Sequence, residues 1–149
     1  MDELLKLLDK SLNYLSHDII DDIIVIHAES TKESAECPYC GELSQRVHSK
    51  YLRTINDLPI QDKKCKIILH NKKYMCVNPK CDRKTFAESF QFFEPKATKS
   101  NRLQDEIFQV SLLQSSIGAA KYLSKSVTNV GKSTICNLLK KNSRALRDN

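Results

Sequence analysis

Four of the six cysteines form two closely spaced pairs, one CxxC and one CxxxxC: Cys37, Cys40, Cys76 and Cys81. Gly41 follows the first pair and Pro79 lies inside the second, and both residue types favour tight turns. Two such pairs can place four thiolates about 2.3 Å from one zinc ion. The pattern predicts one structural zinc, because four thiolates leave no coordination position open for a substrate.

A segment of 35 residues separates the two pairs, which is more than the roughly 15 to 20 residues of many four-cysteine zinc sites. A long hairpin with one pair at each end would account for this length. Cys65 lies in the alternating stretch KCKIILH and is expected to be a buried apolar residue rather than a ligand. Cys136 falls in a predicted C-terminal helix, and His48 and His70 are not needed as ligands. His27 is expected to be structural, and no cysteine–histidine catalytic pair is indicated.

Charge is distributed unevenly along the chain, whose formal net charge is +6. Residues 1–36 contain nine acidic and three basic side chains, whereas residues 37–149 contain nine acidic and 21 basic ones. A basic body behind an acidic leader favours a polyanionic partner such as nucleic acid. No stretch approaches the roughly 18 apolar residues of a membrane helix, and the first residues lack the features of a signal peptide. We therefore expect a cytoplasmic protein without a membrane partner, whose cysteines are reduced or metal-bound.

The acidic leader, residues 1–36, contains two hydrophobic patterns. Leucines at helical spacing predict an amphipathic helix over residues 3–15. The β-branched stretch DIIVIHAE, residues 22–29, predicts a strand.

The remainder of the chain divides near Pro95. Residues 37–94 predict a zinc-ribbon β domain of short strands with a turn at Asn71-Lys72. Residues 95–149 predict a small all-helical domain, with helices over 102–114, 117–124 and 132–141. The expected fold class is therefore α+β: an N-terminal amphipathic helix, a zinc ribbon and a helical domain.

The tetrapeptide GKST, residues 131–134, matches the end of a phosphate-binding P-loop motif. That motif also requires a glycine five residues before the Gly-Lys pair, and Ser126 stands there. The preceding residues predict a helix instead of the strand that feeds a P-loop. We therefore predict no nucleotide binding and interpret GKST as the start of a helix capped by Gly131.

The last two predicted helices follow a longer one, a pattern typical of a helix-turn-helix whose second helix enters the DNA major groove. A helical pair that packs on another domain is the alternative. In the last helix, Asn137 suits adenine, Ser133 suits a base or a phosphate, and the lysines suit phosphates. The candidate DNA-binding residues are Lys132, Ser133, Thr134, Asn137, Lys140, Lys141, Lys99 and Arg102.

The stretches CPYCGELSQRVHSKYLRTINDLPI and KKYMCVNPKCDRKTFAES resemble the N-terminal region of bacterial insertion-sequence transposases of the ISL-three type. The shared features are the CPxCG knuckle, the RVHSxYxRxxxDLP stretch and the CxNPxCxRKTFAE knuckle. The resemblance extends to the strand IVIHAES and to the helix-turn-helix. It implies zinc ligation by the four paired cysteines and places Ser133 and Thr134 at the start of the recognition helix. Gly131 departs from the serine that is more usual in the family at that position.

In that family this region recognises the terminal inverted repeats of the element and continues into an RNase H-like catalytic domain of the DDE class. Here only Asp148 is acidic after Glu106, so the converging carboxylates of two-metal chemistry are missing. We therefore expect a non-enzymatic, nucleoid-associated bacterial DNA-binding module of a transposase. Its expected partner is double-stranded inverted-repeat DNA, with a second copy or a catalytic transposase chain as a further partner. The alternatives are a zinc-stabilised protein-interaction module and a stand-alone transcriptional regulator.

Overall fold

The structure, a computed structural model, describes residues 1–114, 116–129 and 131–147 of the chain. Its helices are α1 (Asp2–Leu8), α2 (Asn101–Leu113), α3 (Ser116–Ser126) and α4 (Lys132–Arg147). Its strands are β1 (Leu12–Ile20), β2 (Ile23–Ser30), β3 (Ala35–Glu36), β4 (Leu43–Ser44), β5 (Val47–Ile60), β6 (Lys63–Met75) and β7 (Thr85–Ala87). The α+β class is confirmed, with the strands in the N-terminal two thirds of the chain and three of these helices after them.

A five-stranded sheet organises the N-terminal region. Its strand order is β1-β2-β6-β5, and β7 pairs with the end of β6. Two antiparallel hairpins, β1–β2 and β5–β6, are joined side by side through a parallel pairing of β2 with β6. The strand predicted over residues 22–29 is confirmed as β2, and it places the acidic leader in the same sheet as the hairpin between the cysteine pairs. The division at residues 36 and 94 stays a prediction.

The helix predicted over residues 3–15 is wrong beyond Leu8. The backbone is extended at Asp9, and the Asp9 carboxylate accepts hydrogen bonds from the backbone N–H of Ser11 at 2.9 Å and its hydroxyl at 2.7 Å. It also accepts the backbone N–H of Gln91 at 2.9 Å. These local bonds compete with continuation of the helix, and the later leucines of the stripe belong to β1.

The turn predicted at Asn71-Lys72 is also wrong, because β6 runs through both residues. The Asn71 side chain is buried, and its amide donates to the Tyr51 hydroxyl on β5 at 2.9 Å. The chain turns instead at Gln61 and Asp62, which both have positive φ, 52° and 63°. Two consecutive left-handed residues suit the twist of a tight hairpin, so the expected short strands are two long ones.

One face of the sheet is packed against α1 and against three phenylalanines that follow β7: Phe90, Phe92 and Phe93. Cys65 is 2% exposed in this core, as predicted, and burial raises the pKa of its thiol to about 12. Leu103, Ile107, Leu123 and Ile135 form a separate core between α2, α3 and α4.

Ser100 connects the sheet to the helices. Its hydroxyl oxygen accepts the backbone N–H of Leu103 at 3.2 Å, which caps α2, and its hydroxyl donates to the buried Asp57 carboxylate of β5 at 2.7 Å. Asp57 also accepts two hydrogen bonds from the Arg102 guanidinium. None of the helices in the described ranges combines the length and apolar character needed to traverse a lipid bilayer.

Candidate metal centre and nucleic-acid interface

The first cysteine pair lies in a knuckle between the short strands β3 and β4. The backbone N–H of Cys37 donates to the Glu42 carbonyl at 2.9 Å, and the N–H of Gly41 donates to the Cys37 carbonyl at 2.8 Å. Gly41 has a φ of 80°, a conformation that glycine adopts without steric cost. The turn brings the Cys40 sulfur back beside the Cys37 sulfur.

The second pair lies between the end of β6 and β7. The backbone N–H of Cys76 donates to the Lys84 carbonyl at 2.9 Å, and that of Cys81 donates to the Asn78 carbonyl at 3.1 Å. The Asn78 side chain accepts the N–H of Lys80 at 3.0 Å, which tightens the loop.

The four sulfur atoms converge on one point. They all lie within 4.8 Å of one another, with Cys37 and Cys81 at 3.9 Å and Cys40 and Cys76 at 3.5 Å. A tetrahedron with zinc–sulfur bonds of about 2.3 Å has sulfur–sulfur edges of about 3.8 Å. The cluster therefore fits one structural zinc ion, and the geometry agrees with the predicted cofactor.

The protonation of these thiols fits a metal ligand set. The backbone N–H of Glu42 stabilises the Cys40 thiolate and lowers its pKa to about 7. The N–H of Asn78 favours the Cys76 thiolate, but burial and the neighbouring thiols outweigh it and raise that pKa to about 12. The Cys76 thiol thus resists ionisation beside its neighbours, whereas a divalent cation at this point would favour the thiolate form.

A small apolar cluster supports the knuckles. Tyr74 and Phe86 are buried and stacked, with ring centroids 5.8 Å apart, and they pack with Cys37. Few other apolar side chains support this part of the chain, so the metal is expected to supply much of its stability.

Comparison with known families agrees with this geometry. Residues 33–81, which include all four cysteines, match the sequence model of a family described as the zinc-finger of transposase IS204/IS1001/IS1096/IS1165. The resemblance to transposases of the ISL-three type is therefore confirmed over this segment, and the match is to a zinc-finger domain, with no catalytic domain matched. It suggests a transposase-associated module that binds nucleic acid. Neither the curated proteins nor the solved structures gave a match to this chain.

The candidate DNA-binding residues of the last predicted helix lie on α4. Among residues 132–141 of this helix, the exposed side chains are Lys132, Ser133, Asn137, Lys140 and Lys141, and Thr134 is half-buried. Ile135 is fully buried among the helices, with Leu138 and Leu139 beside it. Ser133, Asn137, Lys140 and Lys141 share one side of the helix, because they follow its period of 3.6 residues.

Gly131 precedes this helix as predicted. Its carbonyl accepts the backbone N–H of Ile135 at 3.2 Å, the first bond of α4. A Cβ added at Gly131 would meet no atom within 4 Å. The serine that is more usual in the resembling transposases would therefore fit here.

The other two candidates lie beside β5. The guanidinium of Arg102 forms an ion pair with Asp57, which is 3% exposed, and this hydrogen bond raises the pKa of Arg102. Arg102 thus has a structural role that sequence reasoning missed. Lys99 forms a single parallel β-bridge with Asn56 at the edge of β5, and it precedes all three C-terminal helices in sequence. DNA contact by either residue stays a prediction.

His27 is partnered, as expected of a structural histidine. Its Nδ1 lies 3.2 Å from Nε2 of His70 across the β2–β6 pair.

Sequence reasoning missed another feature of β6: lysines alternate with apolar residues in KKCKIILHNKK, so one face of the strand is basic.

Proposed function

We propose that this chain is the DNA-binding module of a transposase, which recognises the terminal inverted repeats of an insertion sequence. The zinc finger stabilises the module, and α2, α3 and α4 act as a helix-turn-helix with α4 as the recognition helix. The reaction itself would come from the DDE carboxylates of a catalytic transposase chain that the bound DNA brings into place.

The observation that carries the proposal is the amphipathic character of α4 next to a transposase zinc finger. The helix buries Ile135 and exposes Lys132, Ser133, Asn137, Lys140 and Lys141 in a chain whose body is strongly basic. An exposed basic helix that also presents an amide and a hydroxyl can contact phosphates and base edges together.

The three C-terminal helices pack in a manner compatible with this role. The support helix α2 contributes Leu103 and Ile107 to the shared core, and α3 contributes Leu123. The backbone N–H groups of Val127 and Thr128 both donate to the Leu123 carbonyl, which closes α3. A short connection then leads to α4, as in the helix pairs that read DNA.

Residue roles follow from side-chain chemistry. Asn137 can form two hydrogen bonds with an adenine edge, and Ser133 can contact a base or a phosphate near the N-terminus of α4. Lys132, Lys140 and Lys141 would neutralise phosphates without reading sequence.

A selection experiment tests sequence recognition. The zinc-loaded protein should enrich one duplex motif from a random library, and that motif should occur in inverted orientation at both ends of an insertion sequence. Enrichment of no motif would contradict end recognition and leave only non-specific DNA binding.

A second candidate function is protein docking through α1. In this helix Leu5 is buried, but Leu4 is 59% and Leu7 is 82% exposed. Two exposed leucines on an acidic helix fit a partner with an apolar, basic groove. Binding to a catalytic transposase chain that is lost on Leu4→Ser with Leu7→Ser, with DNA binding unchanged, would show that docking accompanies DNA recognition.

A further inference from the structure

The sheet has one packed face and one open face. The packed face carries the core of Ile24, Ile26 and Ile67 beneath α1. The open face is the opposite one, on which Lys64, Lys66, Ile68, His70 and Lys72 of β6 lie with their ladder partners.

Apart from its zinc-finger end, where Tyr74 packs with Phe86 and Cys37, the open face is covered by none of the clusters of described side chains. Val25 and Ile68 are half-buried but belong to none of the cores formed by the described residues, and Leu52 is 63% exposed. An antiparallel sheet commonly leaves one face in water. The lysines on this face, however, are concentrated on its β5–β6 half.

Five lysines occupy the β5–β6 half of the open face or its edge: Lys50, Lys64, Lys66, Lys72 and Lys99. Lys99 belongs to this set because it pairs with Asn56, which in turn pairs with Lys66, so the three form one row across the sheet. None of these lysines forms a salt bridge with a described residue. Two acidic residues of the face, Asp18 and Glu29, lie on the β1–β2 half. A third, the buried Glu88, accepts the backbone N–H of Lys72 at the zinc-finger end, away from Lys66 and Lys99.

The basic half extends from the helical domain to the zinc finger. At one end, Lys64 Nζ donates to Asn129 Oδ1 at 3.1 Å, and Asn129 lies in the connection that leads to α4. At the other end, Tyr74 follows Lys72 on the same side of β6 and packs with Phe86 and Cys37 of the zinc finger. A polyanion that contacts the start of α4 can therefore continue along this row of lysines.

We propose that the basic half of the open face is a second phosphate-binding surface for the duplex DNA held by α4. This inference rests on the proposed function. Lys66 and Lys99 would contact backbone phosphates beyond the bases that α4 reads, so they add affinity and orient the duplex without reading sequence. The sheet, the zinc finger and the helices would then bind one continuous duplex.

The test compares two double variants of equal charge by fluorescence anisotropy over a range of salt concentrations. Lys66→Gln with Lys99→Gln removes two proposed contacts, whereas Lys6→Gln with Lys10→Gln removes two lysines of the acidic leader. Each lost contact should flatten the log–log salt slope by about 0.9 and weaken binding about eightfold at 0.1 M salt. The loss should be equal on the selected duplex and on a scrambled one, and the leader variant should keep the wild-type slope.

The possible results separate failure of this inference from failure of the proposed function. If the Lys66/Lys99 variant keeps the wild-type slope while Lys140→Ala flattens it, the open face does not bind DNA but the proposed function stands. If the wild-type protein binds no duplex, both proposals fail. If the variant instead changes only self-association in sedimentation velocity, the face binds a second copy and the inference is wrong. Lys66→Arg with Lys99→Arg should keep the slope, and an unchanged urea unfolding midpoint shows that the variants fold.

Discussion

At the scale of single residues, the zinc centre depends on four sulfurs and little else. The spacing of the cysteines in the sequence is sufficient to identify the set, because each pair is local and each closes a tight turn. Sequence spacing could not show the role of Asp57, since its partners Ser100 and Arg102 lie more than forty residues away and meet it only through the fold.

Substitution of one ligand should abolish the metal site. Cys76→Ser removes one of four thiolates, and we expect native mass spectrometry to show loss of the zinc ion with unfolding of the finger. Cys65→Ser is the matched control, because that thiol is buried in the sheet core and should keep a full zinc complement. Full zinc in Cys76→Ser, or loss in the control alone, would overturn the assignment.

Glu88 should make the folded protein less stable as pH rises. Burial raises the pKa of its carboxyl above the ordinary value of 4.5, and the backbone N–H of Lys72 offsets this in part. The folded state therefore holds the proton more tightly than the unfolded state, so stability falls as pH increases from 4.5 through the raised pKa. Glu88→Gln should be more stable than wild type in urea at neutral pH, with the advantage shrinking on acidification. Glu106→Gln, at an exposed site, should show no such trend; an equal response in both variants would exclude the burial effect.

At the scale of elements, the C-terminal helices were predictable, whereas α1 and the strands were predictable only in part. The apolar spacing of α2 and α4 follows the helical period over several turns. Helix α2 is confirmed within one residue of its predicted bounds, whereas α4 begins at Lys132 as predicted but continues to Arg147. In β6 the polar residues Asn71 and Lys72 resemble a turn locally. Their place in a strand is set by pairing with β5, which no local pattern records.

Substitutions on α4 should separate phosphate contacts from base reading. Lys140→Ala should weaken binding to all duplexes about equally and flatten the salt slope by roughly one unit. Asn137→Ala should cost about 1–3 kcal/mol on the selected duplex and little on a scrambled one. Anisotropy on the two duplexes distinguishes these patterns. A uniform effect of Asn137→Ala would exclude base reading by this residue.

At the scale of the whole molecule, the described residues form three separate cores, so the effect of metal loss should differ from one core to the next. The zinc finger has its own small cluster around Tyr74, whereas the sheet and the helices have larger cores without a metal ligand. Since β6 belongs to both the finger and the sheet, zinc removal should loosen the loops that carry the cysteines and leave the pairing of β6 within the sheet intact.

Chelation should therefore cause local unfolding. Structural zinc can contribute on the order of 10 kcal/mol to the apparent folding free energy of such modules. Hydrogen exchange after chelation should accelerate in residues 35–46 and 76–87, while the β2–β6 pairing over 64–70 and helix α2 stay protected. Zinc-replete protein is the control. Loss of protection throughout the chain would show instead that the cores are coupled.

The central claim is that the intact, zinc-loaded chain binds duplex DNA through a basic surface, and its salt dependence tests this most directly. Fluorescence anisotropy on the selected duplex between about 50 and 200 mM salt should give a log–log slope of roughly −5, as expected for about six neutralised phosphates. Absence of binding at low salt by the zinc-loaded protein would contradict the account and favour docking through α1.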